Sequence, residues 1–181
     1  MKMEKISLRG MIYASLFGAA TAVGAYIIIP FPLVPITLQT LFLNLSAALL
    51  GGNLGALSQV VYIILGIIGL PVFAGGKAGF GVLLGPTGGY LIGFIVAAYV
   101  TGKLIEARKR PKLIWIIFSM AVGMLIVYIC GISQLMLVAK LSLQKSLTVG
   151  ALPFLIGDAL KTIAAALITI KIKDKIKIER Y

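Results

Sequence analysis

From Gly10 to Gly76 the chain reads GMIYASLFGAATAVGAYIIIPFPLVPITLQTLFLNLSAALLGGNLGALSQVVYIILGIIGLPVFAGG, and no residue between Arg9 and Lys77 is charged. About 20 apolar residues in a helix cross the hydrocarbon core of a bilayer. This stretch is far too long for one crossing and must fold back on itself. Pro30, Pro32 and Pro35 favour extended backbone and end a first helix over about 11–29. Gly51-Gly52-Asn53 separates a second helix, about 37–51, from a third, about 54–70.

Outward from this stretch the pattern repeats, with further apolar segments over about 88–107, 113–138 and 153–171. Hydrophobic residues make up 60% of the 181 and charged residues 12%, against roughly 25% charged in a soluble domain. The expectation is an all-α integral membrane protein, a six-helix bundle forming a single membrane domain over 1–181. No room remains for a soluble ATPase or receptor domain. The basic start has no small-residue cleavage site and reads as the approach to a first helix rather than a removed signal. The formal charge of +12 does not point to nucleic acid, because the cations sit at the ends of apolar segments. Cys130 lies in an apolar run and reads as a buried thiol. The absence of histidine removes the usual transition-metal ligand and the commonest general base, so no metal, cofactor or catalysis is expected.

Polar residues inside the segments are the candidates for function. In Pro153-Phe-Leu-Ile-Gly-Asp158-Ala-Leu-Lys161 an acid and a base stand three residues apart, on one helix face. Each ionisable group in a span costs roughly 2.5–3.5 kcal/mol on insertion scales. Such a pair either neutralises itself in the bundle or serves a ligand. Thr37, Thr40 and Asn44, with Gln39 beside them, share a face of the second segment, and Ser58, Gln59 and Tyr62 cluster in the third. Each group suits helix–helix hydrogen bonding or ligand contact. Ala14, Gly18 and Ala22, with Ser15 and Ala19 beside them, form a small-residue ridge that permits close helix approach, inside the protein or against a partner.

Residues 71–90 are dense in glycine and nearly uncharged, a loop expected to lack regular structure while letting its backbone approach a small ligand. A phosphate-binding loop would need Gly six residues before Lys77 and Ser or Thr after it; Pro71 and Ala78 stand there instead. With both termini inside, Lys2, Lys5, Arg9, the connector Lys103, Arg108, Lys109, Arg110 and Lys112, and the tail Lys171, Lys173, Lys175, Lys177 and Arg180 share one side. Lys77, Lys140 and Lys145 hold the other. The positive-inside rule then makes both termini cytoplasmic and turns the proline loop, the glycine loop and the polar 140–150 connector outward, above Asp158 and Lys161. The expected site is a pocket open to the extracellular side.

Pro35-Ile-Thr-Leu-Gln-Thr40, Gly55-Ala-Leu-Ser58, Gly69-Leu-Pro-Val-Phe-Ala-Gly-Gly76, Leu84-Gly-Pro-Thr-Gly-Gly-Tyr90 and the Asp158–Lys161 stretch together resemble the BioY family. These are the biotin-binding S components of energy-coupling factor (ECF) transporters, and the resemblance covers nearly the whole chain. It implies a six-helix S component in the plasma membrane of a prokaryote. Such a protein binds biotin from outside and works with a membrane coupling subunit and two cytoplasmic ATPases. It also implies that Asp158 and Lys161 contact the ureido ring and that Ala14, Gly18 and Ala22 dock on the coupling subunit, although the family pattern there prefers alanine to Gly18.

The chemistry of the residues agrees. A cyclic urea offers two N–H donors and an accepting carbonyl, which a carboxylate and an ammonium complement. Tyr62, Phe73 and Tyr90 suit the apolar body. Lys77, Gln39 and Asn44 are the candidate donors to the ligand carboxylate. The competing reading is a stand-alone secondary transporter in which the acid–base pair moves a proton; it would call for paired internal repeats, and none is visible.

Overall fold

The computed structural model describes residues 7–172. Lys2, Lys5, Lys173, Lys175, Lys177 and Arg180, which entered the charge count above, lie outside them. Helix α1 (Leu8–Tyr26) starts at Ser7, whose side chain accepts a hydrogen bond from the Gly10 N–H at 3.1 Å. It ends before the β-branched run Ile27-Ile28-Ile29. Two short strands follow, β1 (Ile28–Ile29) and β2 (Ile36–Thr37), paired antiparallel with Ile28 opposite Thr37. The three prolines lie in the turn between them or at its edge, where their missing N–H donors disturb little.

Helices α2 (Gln39–Leu50) and α3 (Gly52–Ile67) reverse direction through one residue, Gly51. Its φ of 86° with ψ of 179° is a conformation essentially limited to glycine. The reversal brings the two backbones together: a Cβ at Gly55 would stand 2.8 Å from the Ala47 Cα. A four-residue helix, α4 (Gly81–Leu84), precedes α5 (Gly88–Glu106) and α6 (Leu113–Ala139). Then come α7 (Leu143–Gly150), a 3-10 turn over Leu152–Phe154, and α8 (Leu155–Ile172). Gly88–Glu106, Leu113–Ala139 and the stretch Leu143–Ile172 are long and apolar enough to cross a membrane.

The glycine loop is more ordered than expected. Beyond the turn of α4, Phe73 N–H donates to the Lys77 carbonyl at 3.0 Å and Gly79 N–H to the Gly66 carbonyl at 2.7 Å. Gln134 of α6 donates to the Leu83 and Gly85 carbonyls at 2.6 and 2.8 Å. Backbone groups freed by glycine are thus met by other parts of the chain.

Helix α2 lies at the centre, against α1, α3, α5, α6 and α8, and ten of its twelve residues are buried. At about 1.5 Å per residue it is roughly 18 Å long, short for a membrane. Helices α3, α5, α6 and α8 follow one another around it, with α1 packed on α2 and α3. The polar residues of α3 serve this packing. Gln59 Nε2 lies 3.4, 3.3 and 3.0 Å from the Thr21, Ser46 and Ser58 hydroxyls, which share its two N–H groups. Each hydroxyl donates its own O–H to a backbone carbonyl.

The ridge expected to face a partner points inward. Ala14 is 1% exposed, Ala22 9%, and a Cβ at Gly18 would stand 2.9 Å from the Ser58 carbonyl oxygen. Ala14, Gly18 and Ala22 let α1 close on α3, while Ser15 and Ala19 are the small residues on the exposed face. Adding volume at Gly18 must therefore displace backbone. Gly18→Val is expected to destabilise the detergent-purified protein by about 1–3 kcal/mol, and Ala19→Val to stay within about 0.5 kcal/mol. Equal thermal unfolding shifts for the two variants would contradict this packing.

Candidate ligand-binding site

Asp158 lies in the first turn of α8, where the helix dipole favours a negative charge. It is 7% exposed and its carboxylate is held from three directions. Lys161, one turn along α8, places Nζ 2.5 Å from Oδ1. Thr40 of α2 donates its hydroxyl to Oδ1 at 2.9 Å. Tyr128 of α6 donates its phenol to Oδ2. Lys161 also donates to the Thr37 carbonyl at 2.9 Å.

A carboxylate oxygen accepts about two good hydrogen bonds and an ammonium gives three. Oδ1 is therefore full, Oδ2 keeps one acceptor position, and Lys161 keeps one N–H. The pair can offer a ligand one charge-assisted acceptor beside one charge-assisted donor.

The pair borders a cavity that is open on one side. Phe73, Tyr90, Phe94, Val127 and Phe154 make its walls apolar. The Tyr90 hydroxyl donates to the Gly150 carbonyl at 2.8 Å, so that residue presents its ring. Gln39 lines the cavity with its amide oriented by two neighbours. Oε1 accepts from the Thr37 hydroxyl at 2.8 Å, and Nε2 donates to the Tyr62 hydroxyl at 2.6 Å. Lys77 lines the mouth, exposed, and its ammonium has no hydrogen-bond or ion-pair partner among the described residues.

Residues 1–178 match the model of the BioY family. The chain belongs to the BioY family. It is 43% identical over 173 residues to the biotin transporter BioY of Thermotoga maritima, covering 96% of this chain and all of that one. It is 39% identical over 172 residues to a probable biotin transporter BioY of Lysinibacillus sphaericus, covering 92% and 87%. Its fold is similar to a crystal structure of the S-component for biotin from an ECF-type ABC transporter, with a TM-score of 0.87, 25% identity and coverage of 99% and 98%.

Within this BioY-family fold, Asp158, Lys161, Gln39, Phe73, Lys77 and Tyr90 come together around one cavity. Two other candidates stand behind it. Tyr62 is fully buried, separated from the cavity by Gln39 and set edge-on to Phe73 with ring centroids 5.6 Å apart. Asn44 is fully buried one turn further along α2, where it donates to the Thr162 hydroxyl at 3.5 Å. Both support the site rather than line it. Thr40 and the Thr37 carbonyl belong to the polar face that the second segment displays in sequence. Tyr128 carries little signal in sequence beyond a hydroxyl in the middle of a very apolar helix. Phe94 and Phe154 are ordinary apolar residues in sequence.

Stripping one member from a buried pair leaves the other uncompensated, at roughly 3–5 kcal/mol. Asp158→Ala and Lys161→Ala are each expected to destabilise the unliganded protein on this scale, and the double variant by clearly less than their sum. Additive losses in thermal or chemical unfolding would show that the two groups are not coupled.

Proposed function

We propose that this chain is the biotin-binding S component of an ECF-type vitamin uptake transporter. The observation behind the reading is an acceptor and a donor, Asp158 and Lys161, side by side at an apolar cavity in a BioY-family fold. The ureido carbonyl of biotin takes the remaining Lys161 N–H and one ring N–H meets Asp158 Oδ2. The bicyclic body and valeryl chain lie against the aromatic walls, and the carboxylate reaches Lys77 at the mouth. Gln39, which also lines the cavity, is the neutral alternative for that role. No step alters the ligand, and ATP hydrolysis belongs to partner subunits.

Helices α1, α2, α3, α5, α6 and α8 make six crossings of a prokaryotic plasma membrane, and 1–181 acts as one membrane domain. Both termini are cytoplasmic and the cavity faces outward. Arg9 and the cations of the α5–α6 turn support this orientation, because they outnumber Lys77, Lys140 and Lys145 at the other end. A coupling subunit in the membrane and two cytoplasmic ATPases complete the transporter. The structural neighbour's description as an S-component favours this reading over a stand-alone proton-coupled transporter.

An exposed ion pair contributes up to about 1 kcal/mol, roughly fivefold in affinity. Lys77→Gln is expected to weaken biotin binding by about that factor and to leave biotin amide, which lacks the carboxylate, within about twofold. Equilibrium titration of the purified protein with both ligands decides the point. Equal losses would remove Lys77 from the carboxylate, and no binding of biotin by the unaltered protein would end the reading itself.

The coupling subunit docks on the exposed face of α1 around Ser15 and Ala19. Small residues there let a partner helix approach closely. Ala19→Trp is expected to abolish ATP-driven biotin uptake by the full transporter in vesicles while biotin binding by the isolated subunit stays unchanged. Normal uptake by that variant would place the docking surface elsewhere.

A further inference from the structure

At the end of the bundle away from the cavity, residues 107–112 join α5 to α6. Lys103, Arg108, Lys109, Arg110 and Lys112 crowd this turn, and all five are exposed. The single carboxylate among them, Glu106, has Oε2 3.5 Å from Lys103 Nζ. Among the described residues, Arg108, Lys109, Arg110 and Lys112 have no acidic partner.

One of these cations is ordered. The Arg108 guanidinium carbon lies 3.9 Å from the centroid of the Trp115 ring. The indole is itself fixed, because its Nε1–H donates to the Leu104 carbonyl at 2.8 Å and its ring rests against Phe118 with centroids 5.4 Å apart. A guanidinium laid on a fixed indole gains cation–π attraction and keeps its N–H edge free for a planar, bidentate acceptor. Orienting a membrane protein requires only positive charge. It does not require an arginine settled on a pinned tryptophan.

Both helices that meet here are of membrane length, which puts the turn at the level of lipid headgroups, where tryptophan is enriched. Beside the cations the surface is apolar: Ile114 is 72% exposed and Phe118 52%. A free phosphate ion has no use for that surface, whereas the chains of a lipid would cover it. We propose that the α5–α6 turn binds the phosphate headgroup of an anionic phospholipid. Arg108 is the bidentate ligand, Lys109, Arg110 and Lys112 supply the surrounding field, and Ile114 and Phe118 meet the acyl chains. This assignment is independent of the ligand in the cavity at the other end.

The test is native mass spectrometry of the detergent-purified full chain, exchanged with phosphatidylglycerol or with phosphatidylcholine of the same acyl chains. The unaltered protein is expected to retain phosphatidylglycerol about tenfold better. Arg108→Lys, which keeps the charge but loses the fork and the flat stack, is expected to lower that retention about fivefold. Lys145→Gln, which removes one charge at the opposite end, is expected to leave it unchanged. Equal retention of the two lipids overturns the proposal, and so does Arg108→Lys matching the unaltered protein. A loss in Lys145→Gln as large as that in Arg108→Lys would mean diffuse charge rather than a site. Displacement of the lipid by excess inorganic phosphate would mean a free-anion site.

Discussion

A carboxylate inside a membrane bundle has to be met by donors, and the structure depends on how Asp158 is met. An unpaired charge at this depth is too costly to persist. Lys161 supplies the countercharge from the same helix, Thr40 comes from α2, and Tyr128 comes from α6. Three elements that are remote in sequence are drawn to one point, and that point lies on the wall of the cavity. The same requirement that stabilises the bundle leaves one acceptor and one donor position unfilled, and these are the groups a polar ligand head can use.

The cavity lies over the first turn of the short helix α2. A helix of twelve residues cannot span the bilayer in contact with lipid, but α2 is surrounded by protein along nearly all its length. Non-helical backbone at that depth is acceptable when it is covered by protein or lines a cavity. Residues 34–38 do this: Val34, Pro35 and Thr37 border the space above the helix, whose first turn adds Gln39 and Thr40 to the lining. Small residues make the surrounding contacts possible. Gly18 of α1 against α3, Gly55 of α3 against α2 and the one-residue reversal at Gly51 each allow backbone to approach where a larger side chain would intrude.

The two ends of the bundle differ in chemistry. Around the cavity the loops are apolar, glycine-rich and tied down by backbone hydrogen bonds, with Lys77 the one cation on the cavity lining besides Lys161. At the far end four exposed cations lack acidic partners among the described residues, and one is stacked on an indole. The first environment suits a small ligand with a polar head and an apolar body. The second suits an anionic surface.

Much of this was legible in the chain itself. The charge-free run from Gly10 to Gly76 required a membrane protein that folds back on itself, and the prolines and Gly51-Gly52 marked where. Three-residue spacing put Asp158 and Lys161 on one face, since helical periodicity is a local property. Local spacing says which residues share a face, but not which face turns inward. Ala14, Gly18 and Ala22 share one face of α1, and Ser15 and Ala19 lie side by side at the same four-residue spacing on another. Only packing against the Ser58 carbonyl on α3 decided which set is buried. Asn44 and Tyr62 belong to polar faces that the sequence displays, yet their full burial, against Thr162 and Gln39, depends on how helices stack. Tyr128 is separated from Asp158 by thirty residues and by the α6–α8 connection. No periodicity links them; they meet because a buried carboxylate takes whatever donor the tertiary structure brings within reach.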